Sequence, residues 1–244
     1  MNIVDIHSHI IFGADDGSDS LAESLVMLRL AWEEGVRAVF ATPHYGLESC
    51  FTPEAGLVQH RFDQLREAAR RELPGLSLYL GTEWYCADDL PDRIRAGEAF
   101  PMNGTKYVLL EFMEWGGVSE GREDMLRRLR RVAESGYIPI LAHAERYKRL
   151  REDFSVFAQI KALGALIQVN AYDLFLNHSV DIRNAAQYLA HERLIDFLGS
   201  DMHGMPPRRA PLMRAGVQWL YENTDQAYAD AVAFGNATRL LIQP

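Results

Sequence analysis

The sequence has few cysteines and no long apolar segment. Only Cys50 and Cys86 occur among 244 residues, which excludes the dense disulfide framework of small secreted domains. The N-terminal segment MNIVDIHSHI lacks a cationic stretch followed by an apolar one, and no apolar run approaches the roughly 18 residues of a membrane span. We therefore expect a cytoplasmic protein that does not insert into the membrane directly.

Basic charge and several common catalytic motifs are also scarce. The chain carries 25 basic and 34 acidic residues, a net charge of -9, with no long basic run, so nucleic-acid binding is disfavoured. A cysteine phosphatase loop needs Cys-x5-Arg, yet Gly56 and Asp92 stand six residues after the two cysteines. A Gly-x-Ser-x-Gly elbow, a P-loop and a dinucleotide fingerprint are absent too.

What is present is a pattern of βα units. Short aliphatic runs alternate with amphipathic segments, which is typical of a buried parallel sheet, and the length suits a single domain over residues 1–244. The sequence predicts seven strands: Ile3–His7, Ala38–Thr42, Leu76–Gly81, Tyr107–Phe112, Ile138–Ala142, Ala165–Asn170 and Leu194–Gly199.

Helical signals fill most of the gaps between these strands. Ser20 and Glu23 form a capping box for a helix that ends before Gly35. Thr52 and Pro53 indicate the start of a second helix reaching Glu72. Further helices are predicted over Glu120–Ser135, Phe154–Leu163, Ile182–His191, Leu212–Glu222 and Gln226–Phe234.

Metal-binding residue types follow six of the seven predicted strands. In chain order these residues are His7, His9, His44, Glu83, Glu111, His143, Asp201 and His203. Because the C-terminal ends of barrel strands converge on one face, we expect these side chains to meet. Asp16, in the loop after strand one, completes a set of nine, although the adjacent Asp15 is an alternative.

So many carboxylates and imidazoles in one pocket require a positive charge among them. Divalent ions supply it, and this mixture of ligands suits manganese, iron or zinc better than calcium. We expect two or three ions, with manganese first and iron, zinc or magnesium as alternatives. Arg146 and Arg208 lie close to the ligands in sequence and are predicted to bind an anionic substrate such as a phosphate. Tyr45, which follows His44, is a candidate substrate contact.

With these residues in place, the sequence resembles the PHP (polymerase and histidinol phosphatase) superfamily. Within it, the chain is similar to the bacterial metal-dependent protein-tyrosine phosphatases of capsule and exopolysaccharide operons, the CpsB/CapC type. The resemblance covers essentially the whole chain and rests on the segments DIHSHIIFGADDGSDSLAES, GVRAVFATPH, LGTEWY, LLEF, PILAHAERY, QVN and GSDMHGMPPR.

This resemblance implies a distorted seven-stranded TIM-like α/β barrel, the PHP fold, with three metal ions. One metal site of the family corresponds to His7, His9, Glu83 and Asp201 in this sequence. Glu83 would also bridge to a second ion, which Glu111 and His143 would bind. A third ion takes Asp16, His44 and His203, while Arg146 and Arg208 match phosphate-binding positions. The implied substrate is the phosphorylated tail of a membrane-associated bacterial tyrosine kinase.

Our leading hypothesis is hydrolysis of a phosphotyrosine ester by a metal-bound hydroxide, with the two arginines neutralising charge on the phosphoryl oxygens. A small-molecule phosphatase, such as histidinol phosphatase, shares the ligand order and is the first alternative. A metal-dependent nuclease is disfavoured by the acidic balance. The third alternative is a non-catalytic regulatory protein whose metal cluster only stabilises the fold.

Overall fold

The computed structural model of the protein describes residues 2–46, 51–115, 118–176, 179–204 and 210–242. Its strands are β1 Ile3–Asp5, β2 Val36–Ala41, β3 His44–Tyr45, β4 Ser77–Leu80, β5 Glu83–Tyr85, β6 Tyr107–Glu111, β7 Glu114–Trp115, β8 Val118–Ser119, β9 Ile138–Leu141, β10 Leu166–Asn170 and β11 Phe197–Gly199.

The helices lie between the strands and after the last one. They are α1 Leu21–Glu33, α2 Ala55–Glu72, α3 Leu90–Ala96, α4 Arg122–Glu134, α5 Lys148–Arg151, α6 Ser155–Ala162, α7 Val180–His191, α8 Met213–Asn223, α9 Gln226–Asp230 and α10 Thr238–Leu241. Short 3-10 turns cover Met102–Gly104, Ala144–Arg146 and Ala171–Leu174, and a π turn covers Ala231–Gly235. Among the described helices, none combines the length and apolar character needed to span a membrane.

The strands form two parallel sheets that curve into a half-barrel. One has the order β1-β2-β4 and the other the order β11-β10-β9-β6-β5-β3, while β7 and β8 make a separate antiparallel pair. Beyond the ends of β1 and β11 the backbone continues to pair, because Ser8 bridges Met202 and the Asp201 amide donates to the His7 carbonyl at 2.8 Å. The α/β class with a parallel sheet is therefore confirmed.

Two of the predicted strands end within one residue of their predicted ends, and each is followed by a short strand, β3 or β5, that was not predicted. The strand predicted over Ala38–Thr42 ends at Ala41 and resumes as β3, because Pro43 has no amide hydrogen to continue the ladder. The strand predicted over Leu76–Gly81 likewise ends at Leu80 and resumes as β5. A Cβ atom on Gly81 would lie 2.7 Å from the Met102 sulfur, so this break occurs where the backbone approaches a neighbouring turn closely.

The predicted helix starts are correct in one case and wrong in another. Ser20 caps α1 by accepting a hydrogen bond from the Glu23 amide at 3.2 Å, and the Glu23 carboxylate accepts from Asp19 rather than from Ser20. Thr52 and Pro53 do not start α2, which begins at Ala55, because the Gly46 amide donates to the Phe51 carbonyl and the following chain is extended. Helix α3 was not predicted at all.

A small apolar cluster lies inside the half-barrel, where side chains from the strands and their extensions meet. Its members include Ile6, Phe40, Leu109, Ile140 and Phe197, all nearly or fully buried. Residues two apart on a strand point to the same face, so Glu111 lies on the same face of β6 as Leu109. The apolar cluster therefore lies directly beneath the polar side chains at the strand ends.

Helix α8 packs closely on the turn after β10, which predicts a cost for a small change. A Cβ atom on Gly216 would lie 2.3 Å from the Ala171 carbonyl oxygen. We expect Gly216→Ala to lower the free energy of unfolding in urea by about 1–3 kcal/mol, because backbone must shift to make room. Gly56→Ala, in the open first turn of α2, is the control and is expected to cause no loss. Equal stability of the two variants would contradict this packing argument.

Candidate metal centre

The structure brings all nine predicted ligands into one cluster at the C-terminal ends of the parallel strands. Eight of the nine side chains are buried or nearly so, the exception being Asp16, which is 57% exposed. Three groups of ligand atoms each lie within 4.8 Å of one another: His9, Asp16, His44 and His203; His7, His9 and Asp201; and His44, Glu83 and Glu111. Each group has the spacing that a metal ion requires.

Glu83 stands at the middle of the cluster. Its Oε2 atom lies 3.0 Å from His7 Nε2, 3.1 Å from His44 Nδ1 and 3.3 Å from His9 Nε2. Its Oε1 atom lies 2.9 Å from His143 Nε2. One fully buried carboxylate thus faces four imidazoles, which come from three strand ends, because His7 and His9 both follow β1.

The remaining carboxylates lie at the edges of the cluster. Asp201 Oδ1 is 3.5 Å from His9 Nε2 and 3.4 Å from His203 Nδ1, and Glu111 Oε1 is 2.8 Å from His44 Nδ1. Compared with the grouping that the resemblance implied, Glu111 lies with His44, while His143 Nε2 faces Glu83 Oε1.

The structure separates the roles of Asp15 and Asp16, which the sequence left open. The Asp15 side chain is fully buried and accepts hydrogen bonds from His9 Nδ1 at 2.7 Å and from the His44 amide at 2.9 Å. Asp16 Oδ1 instead faces His44 Nε2 at 3.7 Å and His203 Nε2 at 3.5 Å. Asp15 therefore orients His9 from behind, and Asp16 completes the open side of the cluster.

The nitrogen and oxygen atoms that this cluster offers are of the kinds that coordinate divalent cations. Among the described residues, no group meets hydrogen-bond geometry with the buried atoms Glu83 Oε2, His143 Nδ1 and His203 Nε2. This arrangement costs free energy unless another group coordinates these atoms. Imidazole nitrogens and carboxylate oxygens together are the ligands of transition-type divalent ions.

The pKa shifts of most side chains in the cluster favour the protonation states that metal binding needs. Burial lowers the pKa of His203 to about 2 and also lowers the pKa of His143, so both rings are neutral. Burial opposes ionisation of Glu83, but His7 and His44 outweigh it and hold its pKa well below the usual value. Likewise, burial alone would lower the pKa of His9, yet Asp15 and Glu83 raise it to about 10. A neutral ring is needed to coordinate a cation, so His9 would have to lose that proton to act as a ligand.

The two predicted phosphate-binding arginines differ in what the structure describes. Arg146 lies at the rim, where Nε donates to Asp173 Oδ2 at 3.0 Å, Nη2 donates to the Tyr172 hydroxyl, and Nη1 is 3.6 Å from Asp201 Oδ2. Its side chain keeps 23% exposure. Arg208 lies outside the described residues.

Tyr45 is mostly enclosed by protein. Its ring packs edge-on against Trp84 with centroids 5.1 Å apart, and the Arg93 guanidinium lies over it. Its hydroxyl donates to Glu98 Oε2 at 3.1 Å. A substrate contact at Tyr45 stays a prediction.

A thiol nucleophile finds no support among the described residues. Cys86 is fully buried, and burial raises the pKa of its thiol far above the ordinary value, which is the opposite of what a nucleophilic cysteine needs. Cys50 lies outside the described residues.

Comparison with known proteins agrees with this geometry. The profile of a family described as "Capsular polysaccharide synthesis, CpsB/CapC" matches residues 3–242. The chain belongs to the CpsB/CapC family. The resemblance indicated by its sequence motifs is therefore confirmed.

Two relatives and one solved structure illustrate the CpsB/CapC match. Tyrosine-protein phosphatase YwqE of Bacillus subtilis is 30% identical over 206 residues, covering 84% of this chain and 79% of YwqE. Tyrosine-protein phosphatase CpsB of Streptococcus agalactiae is 28% identical over 244 residues, 98% of each chain. A chain from the crystal structures of YwqE and of Streptococcus pneumoniae CpsB, described as unique metal-dependent tyrosine phosphatases, superposes with a TM-score of 0.88 at 25% identity, covering 99% of this chain and 96% of that one.

Sequence reasoning assigned no chemical role to β10 or the turn after it, yet Gln168, Asn170 and Asp173 all contact the cluster or Arg146. The motif QVN was the only signal there. Amide side chains are not typical ligands of transition-type ions, so Gln168 and Asn170 gave no ligand signal. Asp173 lies in the turn beyond the strand end.

Proposed function

We propose that this protein is a metal-dependent tyrosine phosphatase that hydrolyses phosphotyrosine in a protein substrate. The observation that carries the proposal is the buried Glu83 carboxylate facing four imidazoles at the strand ends. The tyrosine phosphatases YwqE and CpsB, to which this chain is similar, support the same reaction.

The nine clustered residues would hold two or three divalent ions, with manganese as the first candidate. These residues are His7, His9, Asp16, His44, Glu83, Glu111, His143, Asp201 and His203. When bound, the ions would polarise the phosphoryl oxygens and make hydroxide available near neutral pH. The exposed Asp16 marks the side from which a substrate reaches them.

Arg146 would bind the nonbridging phosphoryl oxygens. Asp173 and Tyr172 hold its guanidinium, so its orientation is set before a substrate arrives. Arg208 is proposed as the second phosphate-binding arginine on the motif GSDMHGMPPR. A phenolate leaving group, with an ordinary pKa of about 10, needs less protonation than an alkoxide does, which favours phosphotyrosine over phosphoserine.

The finer architecture is also part of the proposal. If β2 with β3 and β4 with β5 each count as one interrupted strand, the parallel strands number seven among the described residues. The backbone bonds between the extensions of β1 and β11 support closure of a distorted seven-stranded barrel. We propose that residues 1–244 form one such domain.

The family description supports a role in capsular polysaccharide synthesis. The proposed substrate is the phosphotyrosine tail of a membrane-associated bacterial tyrosine kinase, met in the cytoplasm. The negative net charge of -9 offers little attraction to nucleic acid.

The test is phosphate release from a phosphotyrosine peptide in added manganese. We expect release that a chelator abolishes and that exceeds release from the same peptide carrying phosphoserine. Matched reactions with histidinol phosphate test the small-molecule alternative. Faster turnover of histidinol phosphate than of the phosphotyrosine peptide would overturn the tyrosine-phosphatase proposal. If manganese, iron, zinc and magnesium each supported no turnover of these phosphate esters, the non-catalytic alternative would be favoured.

A further inference from the structure

Strand β10 contributes no metal-ligand side chain to the cluster, but two of its amide side chains point toward it. Gln168 and Asn170 are fully buried and, two residues apart, share one face of the strand. Buried amides are expensive unless all their hydrogen bonds are made. Those two side chains link ligands from three other strand ends.

The hydrogen bonds form a chain with one possible direction. The His143 amide donates to Gln168 Oε1 at 2.8 Å, Gln168 Nε2 donates to Asn170 Oδ1 at 2.9 Å, and Asn170 Nδ2 donates to Asp201 Oδ2 at 3.0 Å. A backbone amide can only donate and a carboxylate can only accept. Both ends of the chain therefore determine which way the two amide groups point.

This direction settles the tautomer of His7. Gln168 Oε1 also lies 3.1 Å from His7 Nδ1, and an oxygen with this assignment can only accept. Nδ1 of His7 therefore carries a proton, and Nε2, which lies 3.0 Å from Glu83 Oε2 and 3.1 Å from His9 Nε2, is the ring nitrogen left to face the cluster. Gln168 thus does for His7 what Asp15 does for His9.

The same chain of hydrogen bonds contacts two predicted ligands whose backbones are in the left-handed region. His143 has φ +33° and Asp201 has φ +49°, a conformation that is uncommon for residues other than glycine and that occurs often at functional sites. Gln168 accepts from the backbone of His143, and Asn170 holds one carboxylate oxygen of Asp201. The other oxygen of Asp201 is left toward His9 and His203.

Gly199, paired with Asn170 in register on β11, makes room for this arrangement. A Cβ atom at this position would lie 2.6 Å from His7 Cβ and 2.9 Å from Gln168 Nε2. The lack of a side chain at Gly199 therefore leaves the space through which Gln168 contacts His7.

We propose that Gln168 and Asn170 are positioning residues that set the tautomer of His7 and the orientation of Asp201 for metal binding. The inference deepens the proposed function and rests on it, because it assumes that His7, His143 and Asp201 are ligands. Loss of a partner that orients a metal ligand typically lowers metal affinity by about 10–100-fold.

The test compares Gln168→Met, which keeps the length of the side chain and removes its hydrogen bonds, with Gln187→Met. Gln187 makes an equivalent bond, from Nε2 to the Leu174 carbonyl at 2.9 Å, away from the cluster. Manganese affinity is measured by competition with a chromogenic chelator. The His7 tautomer is read from side-chain 15N shifts of the metal-free protein near pH 8. We expect Gln168→Met to lose about 10–100-fold in affinity and the Nδ1–H preference, and Gln187→Met to lose neither.

Asn170→Asp provides a second variant of almost unchanged size, in case Gln168→Met does not fold. It places a carboxylate oxygen against Asp201 Oδ2, so manganese affinity is expected to fall while Gln168 still keeps His7 in the Nδ1–H form. Wild-type affinity in both variants would overturn the proposal. If the wild-type protein bound no ion at all, the proposed function would fail, and the 15N shifts of Gln168→Met would still decide whether Gln168 controls the His7 ring.

Discussion

Glu83→Gln is expected to reduce phosphate release from a phosphotyrosine peptide by about 10³-fold, the upper range for loss of one preorganised group in a catalytic centre. Glu83 Oε2 faces His7, His9 and His44, and Oε1 faces His143. A glutamine keeps the shape but loses the negative charge, and its amide group turns hydrogen atoms toward imidazole nitrogens or toward an ion. We also expect the amount of bound manganese per chain to fall.

The measurement pairs initial rates with elemental analysis of the purified protein. Glu67→Gln is the matched control, because Glu67 is 57% exposed on α2 and pairs only with Arg71 among the described residues. It should retain the wild-type rate and metal content. A Glu83→Gln protein with unchanged rate and metal content would show that the central carboxylate is not part of the catalytic centre.

Arg146→Lys is expected to lower kcat/KM for a phosphotyrosine peptide by about 10²-fold while leaving the metal content unchanged. The Arg146 guanidinium uses Nε and Nη2 for Asp173 and Tyr172 and keeps Nη1 on the side of Asp201. A lysine ammonium is a single point of charge and cannot reproduce this planar fork. The lost interaction is with the phosphoryl group, so the ion sites should stay intact.

Arg149→Lys serves as the control, since Arg149 is half-exposed three residues along the chain and pairs with Glu152. Both variants are assayed over a range of peptide concentrations and analysed for metal. Loss of metal in Arg146→Lys would assign Arg146 a structural role beside Asp201, and full activity would remove it from the proposed phosphate site.

Much of the candidate centre follows from local sequence signals. Histidines and carboxylates at the ends of aliphatic runs were sufficient to select eight of the nine clustered residues, because parallel strands in an α/β fold present their C-terminal ends on one side. The ninth, Asp16, lies in the loop after the first strand, where the sequence left Asp15 as an alternative. The Ser20 cap of α1 was predictable for a similar reason, since a cap involves residues only three positions apart.

Strand continuity and helix starts were less predictable. Pro43 and Gly81 interrupt two strands where neighbouring segments approach, and the extended chain after Phe51 delays α2 until Ala55. Propensity describes a residue and its neighbours in sequence, whereas these breaks depend on a contact with another part of the fold.

The sequence by itself determined the α/β class, the family and the set of side chains at the strand ends, because each depends on residues adjacent in the chain. Only the tertiary structure decided that Asp15 supports His9 while Asp16 faces His203, that Asp173 holds Arg146, and that Gln168 reaches His7. Gln168 and His7 are 161 positions apart in sequence, yet 3.1 Å separates Oε1 from Nδ1. The choice of partner for an ordinary buried amide or carboxylate is made by distance in the folded chain, and no local pattern records it.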